Sequence, residues 1–599
     1  MQQMAGNYFR LNINWKIRLH KFNFLFVIFG KIINMKFSKI LFLFISAFLF
    51  SQNQYQTPYE KGNGNQTTTY EEMVRFYENL DQNFETISIR NFGSDDNGEP
   101  IKVVIFNNSK NENVPTILIN NGIHPGEPDG IDATMMMMRD FATGKISVKN
   151  LKIVAVEAYN ISGMLRRGKF SRANQNGPEE YGFRGNARNF DLNRDFIKND
   201  TENAKAFQQI FQQFKPIYFI DNHVSNGADY QYLFTYISTN KERLGKNLGT
   251  YFNEKMQPEI LQTLEKKGIL TTPYVNIHGD SPDEGFPAFM DSPRYATGYT
   301  TLFNTMGTVA ETHMLKPYQD RVRATYENML SSINYTSKNS KEIQKKMAES
   351  LKDYQPKMKY AIEWKVDSTK FKMIDFKGYE AGKKTSEVSG KPRLFYDRTK
   401  PFTRNVKFYD EYKPTKEIAI PSFYVIPKSE NKVLDFLKRN NIRMKEMQQD
   451  STILVQQYRI SDYKTVKNPY EGHYLHYGTE VKPDIKSLKF RKGDFLVSTK
   501  QNGVKYLLET LEPEATDSFF NWNFFDGILS QKEYFSDYVF EDTAAELLKN
   551  NQVLRTAFEM EKIANPEFAK DGKAQLEYIY KHSPYYEGRV GLYPIYRIL

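Results

Sequence analysis

The sequence predicts an α/β protein, in which a mixed, mostly parallel sheet flanked by helices is followed by a strand-rich C-terminal region with some helix. Two observations predict the sheet. Short apolar runs typical of buried strands occur at residues 116–120, 151–158 and 215–220. Segments with helical spacing alternate with these runs, as in proteins built on parallel sheets. A third observation predicts the C-terminal region, because polar and apolar residues alternate at 417–426 and 451–460.

The chain begins with a candidate export signal at residues 35–51. Two lysines precede an apolar run of 11 residues at 40–50, and Ser51 offers a small residue for cleavage. The run is short for a membrane span, so we expect cleavage, with a retained signal anchor as the alternative. Residues 1–34 are interpreted as an extension upstream of the true start. We therefore expect a secreted or periplasmic protein with no stable membrane span after cleavage.

Charge and cysteine content exclude several functions. Of 82 basic residues, seven lie in residues 1–51, which hold no acid, so 75 basic residues face 71 acidic ones in the rest of the chain. This balance disfavours nucleic-acid binding. The chain has no cysteine, which excludes disulfides, thiolate metal sites and a cysteine nucleophile.

Four regions are predicted along the chain. They are an N-terminal extension with signal peptide (1–51), a polar linker (52–68), a first domain (69–345) and a C-terminal accessory region (346–599). In the first domain, Thr69 is the predicted N-cap of a helix, and the turn signal Asp95-Asp96-Asn97-Gly98 predicts a hairpin. The other predicted elements are helices at 129–141 (with Asp129 as N-cap), 203–214, 243–267 and 317–333, and a short strand at 308–310.

Two histidines and a glutamate form a candidate metal site. His124 and Glu127 lie in a Gly/Pro-rich loop directly after the strand at 116–120, and His223 follows the strand at 215–220. The carboxyl ends of parallel strands meet at one edge of a sheet, so these side chains can converge. Two histidines and one carboxylate leave a position for water, as in catalytic zinc sites.

A general base and an anion-binding loop complete the candidate chemistry. Glu311 ends the apolar strand at 308–310 and is a candidate base, while His313 is an alternative fourth metal ligand. The loop at 183–196 carries Arg184, Arg188, Asn193 and Arg194. Arginine with asparagine can bind a carboxylate, and another arginine can stabilise an oxyanion.

The ordered set His-x-x-Glu, Arg, Asn-Arg, His and Glu resembles the zinc metallocarboxypeptidases of the carboxypeptidase A/B type, over residues 69–333. The resemblance implies a carboxypeptidase-like fold and one zinc ion held by His124, Glu127 and His223. It implies that Asn193 and Arg194 bind the terminal carboxylate of a peptide substrate and that Glu311 is the general base. Arg184 best matches the arginine that polarises the scissile carbonyl, with Arg172 as the second candidate.

The resemblance also implies a substrate-capping tyrosine, for which Tyr295 is the first candidate and Tyr299 the second. Many family members carry an arginine where this chain has Gly126, and an asparagine often stands where it has Asp195. No acidic residue occurs between Tyr295 and Ala310, a region that lines the side-chain pocket in the family. Its absence favours apolar or aromatic C-terminal residues in the substrate.

Two other functions are compatible with the residues. An amidase or deacylase of the same fold would act on cell-wall peptides or N-acyl amino acids. A non-catalytic surface protein would use the aromatic-rich C-terminal region to bind peptides or glycans. That region also holds the pair His473 and His476, a weak metal-binding pattern better explained as loop or strand histidines. No function for the C-terminal region follows from the sequence.

Overall fold

The structure is a computed structural model that describes residues 55–111, 113–277 and 281–599. The predicted signal peptide at residues 35–51 and the segment before it lie outside these residues. The chain divides into a small unit, Met1–Asn63, and a large unit, Gly64–Leu599. The described part of the small unit contains helix α1 (Pro58–Lys61), closed at its start by a capping box between Thr57 and Glu60.

The described strands of the large unit are, in chain order, β1 (Ile87–Ser94), β2 (Pro100–Phe106), β3 (Thr116–Asn120), β4 (Lys152–Val156), β5 (Tyr218–Ser225), β6 (Phe234–Ser238), β7 (Thr271–Pro273), β8 (Phe286–Pro287), β9 (Met306–His313), β10 (Lys359–Val366), β11 (Lys372–Thr385), β12 (Pro392–Tyr409), β13 (Tyr412–Ala419), β14 (Phe423–Ile426), β15 (Lys445–Glu446), β16 (Ser451–Thr465), β17 (His476–Phe490), β18 (Phe495–Ser498) and β19 (Leu592–Ile598).

Its described α-helices are α2 (Tyr70–Asn83), α3 (Asp129–Ala142), α4 (Ile161–Leu165), α5 (Glu202–Phe214), α6 (Lys241–Leu244), α7 (Lys246–Tyr251), α8 (Gln257–Lys266), α9 (Ala296–Thr301), α10 (Tyr318–Ser350), α11 (Asn431–Arg439), α12 (Val504–Leu511), α13 (Asp537–Asn550), α14 (Gln552–Ala564), α15 (Pro566–Lys570) and α16 (Gly572–Lys581). A π-helical turn, Phe252–Met256, joins α7 to α8, and a 3₁₀ turn, Leu192–Arg194, lies in the loop before α5. In the described part of the chain, none of the helices combines the length and the apolar character that a bilayer crossing requires.

The main sheet has eight strands in the order β1-β2-β4-β3-β5-β9-β6-β7. Its centre is parallel, because β3 pairs in parallel with both β4 and β5, and β5 pairs in parallel with β9. The hairpin β1–β2 and strand β6 add antiparallel pairs on the two sides. The predicted mixed, mostly parallel sheet is therefore confirmed, and the carboxyl ends of β3, β5 and β9 lie side by side.

Local signals explain where several elements begin. Thr69 accepts a hydrogen bond from the backbone of Glu72 and completes a capping box for α2, as predicted. The expected cap of α3 is wrong: Asp129 is its first helical residue, and its carboxylate accepts a hydrogen bond from Arg321 Nε at 3.0 Å instead.

The bounds or continuity of two strands and two helices differ from the prediction. Strands β5 and β9 continue to Ser225 and His313 because they pair along their whole length, so His223 and Glu311 lie within strands rather than after them. The helix expected at 243–267 is interrupted at Gly245. Helix α10 continues well past residue 333, since Ile343 and Ser350 remain buried on one of its faces.

The C-terminal part is rich in strands, as predicted. It contains a six-stranded sheet in the order β15-β18-β14-β19-β16-β17, the pair β10–β13 and the long hairpin β11–β12. Strand β12 also pairs in parallel with β8, which lies between two main-sheet strands in sequence. Phe286 of β8 and Phe376 of β11 share one buried apolar cluster with Tyr230. The C-terminal strands therefore pack directly against the residues that surround the main sheet.

Candidate active site

Three predicted metal ligands meet at the carboxyl edge of the main sheet. His124 and Glu127 lie in the loop after β3, where Glu127 N donates to His124 O at 2.8 Å and closes a tight turn. His223 lies on the neighbouring strand β5. One potential ligand atom from each of the three side chains lies within 4.8 Å of the others, and all three residues are buried.

The atoms that face one another suit a zinc ion. Glu127 Oε1 lies 3.3 Å from His124 Nδ1, and Glu127 Oε2 lies 3.0 Å from His223 Nδ1. His124 Nδ1 is buried and has no hydrogen-bond partner among the described residues. Two imidazole nitrogens and a carboxylate are the donor set of catalytic zinc sites. A buried nitrogen that faces a carboxylate oxygen without forming a hydrogen bond to it fits a role as a metal ligand.

The electrostatics of the site also fit a cation. Burial would raise the pKa of Glu127, but Arg172 and His124 hold it well below its ordinary value. Burial would lower the pKa of His223, but Asp221 and Glu127 raise it well above its ordinary value. The carboxylates around His223 thus favour a positive charge at this position, which a metal ion can supply in place of a proton.

Two aspartates that the sequence analysis missed hold the outer nitrogens of the histidines. Asp191 Oδ1 lies 2.9 Å from His124 Nε2, and Asp221 Oδ2 lies 3.0 Å from His223 Nε2. Such contacts fix the ring orientation of metal-binding histidines. Asp221 stands two residues before His223 on β5, so strand alternation was a signal that could have found it.

Asp191 connects several predicted site residues. Its Oδ1 accepts a hydrogen bond from Asn193 N at 2.9 Å, and its Oδ2 accepts bonds from Arg184 Nε at 3.0 Å and Nη2 at 2.9 Å. Burial would raise the pKa of Asp191, but His124, Arg184 and Arg194 lower it well below its ordinary value. One carboxylate therefore orients a candidate ligand, a candidate catalytic arginine and the turn that carries Asn193.

Both candidate arginines for carbonyl polarisation lie at the site. Arg172 Nη1 is 2.7 Å from Glu127 Oε1, and Arg184 Nη1 is 3.6 Å from the same oxygen. A Cβ atom on Gly126 would lie only 2.6 Å from Cδ of Arg172. Arg172 thus occupies the space beside Gly126, where many family members carry an arginine in the loop itself.

The predicted carboxylate-binding residues lie next to the predicted capping tyrosine. Asn193 and Arg194 belong to the 3₁₀ turn, and the Arg194 guanidinium lies 4.4 Å from the centre of the Tyr295 ring. Asn193 Oδ1 accepts a hydrogen bond from Ala296 N at 3.4 Å. The second candidate, Tyr299, is fully buried and donates a hydrogen bond to Asn440 at 2.6 Å.

Glu311 faces the same space from β9, where it is directly opposite His223 in the strand register. Burial raises the pKa of its carboxyl group, with Glu127 and Asp221 adding to the increase and His223 opposing it. Among the described residues, its carboxylate has no hydrogen-bond partner. An available carboxylate with a raised pKa is suited to accept and return a proton.

The remaining histidine candidates are engaged elsewhere. His313 Nε2 lies 3.1 Å from Ala228 O, and its Nδ1 accepts from Leu315 N at 3.1 Å. Nε2 of His473 lies 2.7 Å from Asp200 Oδ2, whereas Nε2 of His476 lies 3.1 Å from Asp526 Oδ1. The described residues give no metal-binding arrangement to these three histidines.

The first candidate for each predicted role lines one cavity of about 600 Å³, as does Arg172, whereas Arg188, Tyr299 and His313 do not line it. The cavity wall also includes the apolar or aromatic side chains of Ile237, Tyr274, Phe289 and Val309. Asp291, which lies before Tyr295 in the sequence, adds an acid to this wall. The side chain of Asp291 is nearly buried and accepts a hydrogen bond from Thr297 Oγ1.

Comparison with known protein families gives a match over part of the chain. Residues 73–239 match the family model of the zinc carboxypeptidases, Peptidase_M14. No curated protein matches the chain significantly.

Solved structures with similarity include carboxypeptidase A from Helicoverpa armigera, which is 11% identical with a TM-score of 0.36 over 46% of this chain and 74% of that one. A metallo-carboxypeptidase from Pseudomonas aeruginosa, in complex with (2-guanidinoethylmercapto)succinic acid, is 13% identical, with a TM-score of 0.35 over 46% and 70% of the two chains. One from Burkholderia cenocepacia is 15% identical, with a TM-score of 0.34 over 46% and 70%.

Proposed function

We propose that this chain is an exported zinc-dependent carboxypeptidase that hydrolyses the C-terminal peptide bond of peptides, because residues 73–239 match the family model of the zinc carboxypeptidases. The observation that carries the proposal is the convergence of His124, Glu127 and His223 in one cavity with Glu311. The candidate signal at residues 35–51 supports export.

His124, Glu127 and His223 would hold the zinc ion. When bound there, zinc supplies Lewis acidity and lowers the pKa of a coordinated water. Glu311 takes a proton from the attacking water and later delivers it to the leaving amine. Its half-buried position in the cavity wall, without a competing hydrogen bond among the described residues, supports that role.

The arginines and Asn193 would bind and orient the peptide. Asn193 and Arg194 hold the terminal carboxylate, and Tyr295 beside Arg194 covers the bound residue. Arg184 stabilises the developing oxyanion, with Arg172 as the alternative. Both arginines contact Glu127, so the distances alone do not decide between them. Comparing kcat for a lysine variant at each position shows which arginine stabilises the oxyanion.

The test combines metal analysis with hydrolysis of N-blocked dipeptides that carry either a free or an amidated C-terminus. We expect about one zinc per chain, loss of activity with a chelator and cleavage of the free acids alone. A protein that contains no zinc and cleaves neither substrate contradicts the proposal. Faster cleavage of N-acyl amino acids or cell-wall peptides than of dipeptides would assign the amidase or deacylase function instead.

A further inference from the structure

The C-terminal part reaches the candidate active site through a two-residue turn. In the connection between β16 and β17, Tyr470 N donates to His473 O at 2.8 Å and His473 N donates to Tyr470 O at 3.1 Å. The two central residues, Glu471 and Gly472, have φ values of 48° and 81°. Positive φ at both positions is typical of a tight hairpin turn of type I′. We name residues 470–473 the tip turn.

The residues of the tip turn lie against the loop that carries Asp191 and against Arg294, whose backbone oxygen accepts a hydrogen bond from Phe196 of that loop. Glu471 Oε2 accepts a hydrogen bond from Asp191 N at 2.9 Å, and His473 Nε2 lies 2.7 Å from Asp200 Oδ2. The Arg294 guanidinium lies 5.6 Å from the centre of the Tyr470 ring. A Cβ on Gly472 would lie 2.8 Å from the Phe190 ring, so this close approach requires glycine.

The Glu471 contact is the one closest to the chemistry. Its acceptor oxygen fixes the backbone of Asp191, whose side chain in turn contacts His124 Nε2 and the Asn193 backbone. A non-glycine residue with positive φ is uncommon, and here it directs a carboxylate onto a backbone donor. His473 holds the far end of the same loop through Asp200, which also accepts from Lys198 Nζ at 2.8 Å.

We propose that Glu471 is a positioning residue of the active site, which holds Asp191 so that His124 and the Asn193–Arg194 turn are correctly placed. The C-terminal region is then a required part of the catalytic unit rather than a separable accessory domain. The mechanism is indirect, because Glu471 does not line the cavity and acts through Asp191. Its effect on catalysis rests on the proposed function, whereas its effect on the loop does not.

The experiment compares Glu471→Ala, Glu471→Asp and Glu471→Gln in the full chain. Alanine removes the acceptor, aspartate keeps the charge on a side chain one methylene shorter, and glutamine keeps an acceptor oxygen at the original reach. Glu480→Ala is the matched control, because Glu480 is an exposed carboxylate on the following strand β17. Three quantities are measured: hydrogen exchange in residues 190–200, the rate of zinc loss to a chelator, and kcat and KM on a free-acid dipeptide.

We expect Glu471→Ala and Glu471→Asp to speed both amide exchange and zinc loss by about 10-fold and to lower kcat/KM by a similar factor, as for other residues that orient metal ligands. Glu471→Gln and Glu480→Ala should match the wild type. If the alanine variant does not fold, the aspartate and glutamine variants still separate reach from charge.

Wild-type exchange and zinc loss in Glu471→Ala or Glu471→Asp would overturn the proposal. So would equal defects in the glutamine and aspartate variants, because the reach of the acceptor would then be irrelevant. A wild-type protein without zinc or peptidase activity contradicts the proposed function alone. Amide exchange in residues 190–200 then still decides whether Glu471 positions the loop.

Discussion

Two segments from distant parts of the chain support the same site in different ways. The loop at residues 121–128 supplies His124 and Glu127 themselves, three residues apart and directly after a strand. The tip turn supplies no cavity residue, yet it contacts the loop that contains Asp191. The two candidate ligands thus lie close together in the sequence, whereas the contact that supports them joins Asp191 to a residue 280 positions away. Each of the following predictions tests one side of this difference.

The largest effect is expected at Glu311, which serves the site that both segments support. Glu311→Gln keeps the shape of the side chain but cannot accept a proton, so we expect kcat to fall by about 10²–10⁴-fold with zinc content unchanged. Steady-state kinetics and metal analysis measure the two quantities. Glu284→Gln, an exposed acid, is the control. Unchanged turnover in Glu311→Gln would mean that another group accepts the proton.

The next effect concerns the attachment of the C-terminal part. Asp517 is fully buried, and its carboxylate accepts from Arg294 N at 3.0 Å, from Arg294 Nε at 2.7 Å and from Trp522 Nε1 at 3.2 Å. Asp517→Ala leaves the arginine without its partner, which costs about 3–5 kcal/mol for a buried pair. We expect a clearly lower Tm and, because Tyr295 follows Arg294, a higher KM.

The control for this experiment is Asp484→Ala, which removes an exposed carboxylate from β17. Its Tm and KM should equal those of the wild type. An Asp517→Ala protein with the wild-type Tm would show that the contact with Arg294 does not stabilise the fold. The C-terminal part would then be less closely coupled to the site than the contacts indicate.

The difference between the two segments also explains what could be predicted from the sequence. Features that depend on near neighbours in the sequence are found in the structure as predicted. They are the order of strands and helices, the helix cap at Thr69 and the closeness of His124 to Glu127. The full lengths of β5 and β9 depend on their mutual pairing, which no local pattern reveals. The contact of Glu471 with Asp191 joins residues 280 positions apart and has no sequence signature.

Residues that could contact a substrate are easier to predict from the sequence than the residues that hold them in place. Asn193 and Arg194 are recognisable by residue type, because few adjacent side chains can together donate several hydrogen bonds to one carboxylate. Asp191 carries an ordinary surface residue type, and only the distances to His124 and Arg184 identify its role. Asp129 was expected to cap α3, but Arg321, 192 residues away, binds its carboxylate.

A buried acid beneath the loop at 121–128 makes stability depend on pH. Burial, opposed by hydrogen bonds from Tyr77 and Asn121, raises the pKa of Glu157 from 4.5 to about 8. Because the folded pKa lies above the unfolded one, its contribution to stability is fully present below pH 4.5 and is lost as pH rises to about 8. Glu157→Gln removes this dependence because glutamine does not titrate, while its carbonyl oxygen can still accept a hydrogen bond from Tyr77 or Asn121.

We therefore expect Glu157→Gln to match the wild type near pH 5 and to be more stable near pH 8, by a few kcal/mol. Thermal unfolding across this pH range measures the difference in Tm. Glu85→Gln, at an exposed position, should show no such trend. A constant difference between Glu157→Gln and the wild type at all pH values would mean that Glu157 does not titrate in this range.

The smallest effect concerns substrate selectivity, for which Asp291 predicts the opposite of the apolar preference expected from residues 295–310. Asp291 lies in the cavity wall and forms no ion pair with a described residue, so a cationic substrate side chain could provide its partner. Burial and Asp221, opposed by Arg194 and His223, raise its pKa to about 7. Its charge, and hence its attraction for a C-terminal lysine, should increase as pH rises through this value.

We expect the ratio of kcat/KM for C-terminal lysine over leucine substrates to rise by about 10-fold between pH 6 and pH 8, the scale of one charge-assisted hydrogen bond. Asp291→Asn should lower this ratio at pH 8 and make it independent of pH. Using a ratio cancels the titration of groups such as Glu311 that act on both substrates. A ratio that favours leucine equally in both proteins would mean that Asp291 serves only to accept the hydrogen bond from Thr297, and that the apolar wall around Phe289 sets the preference.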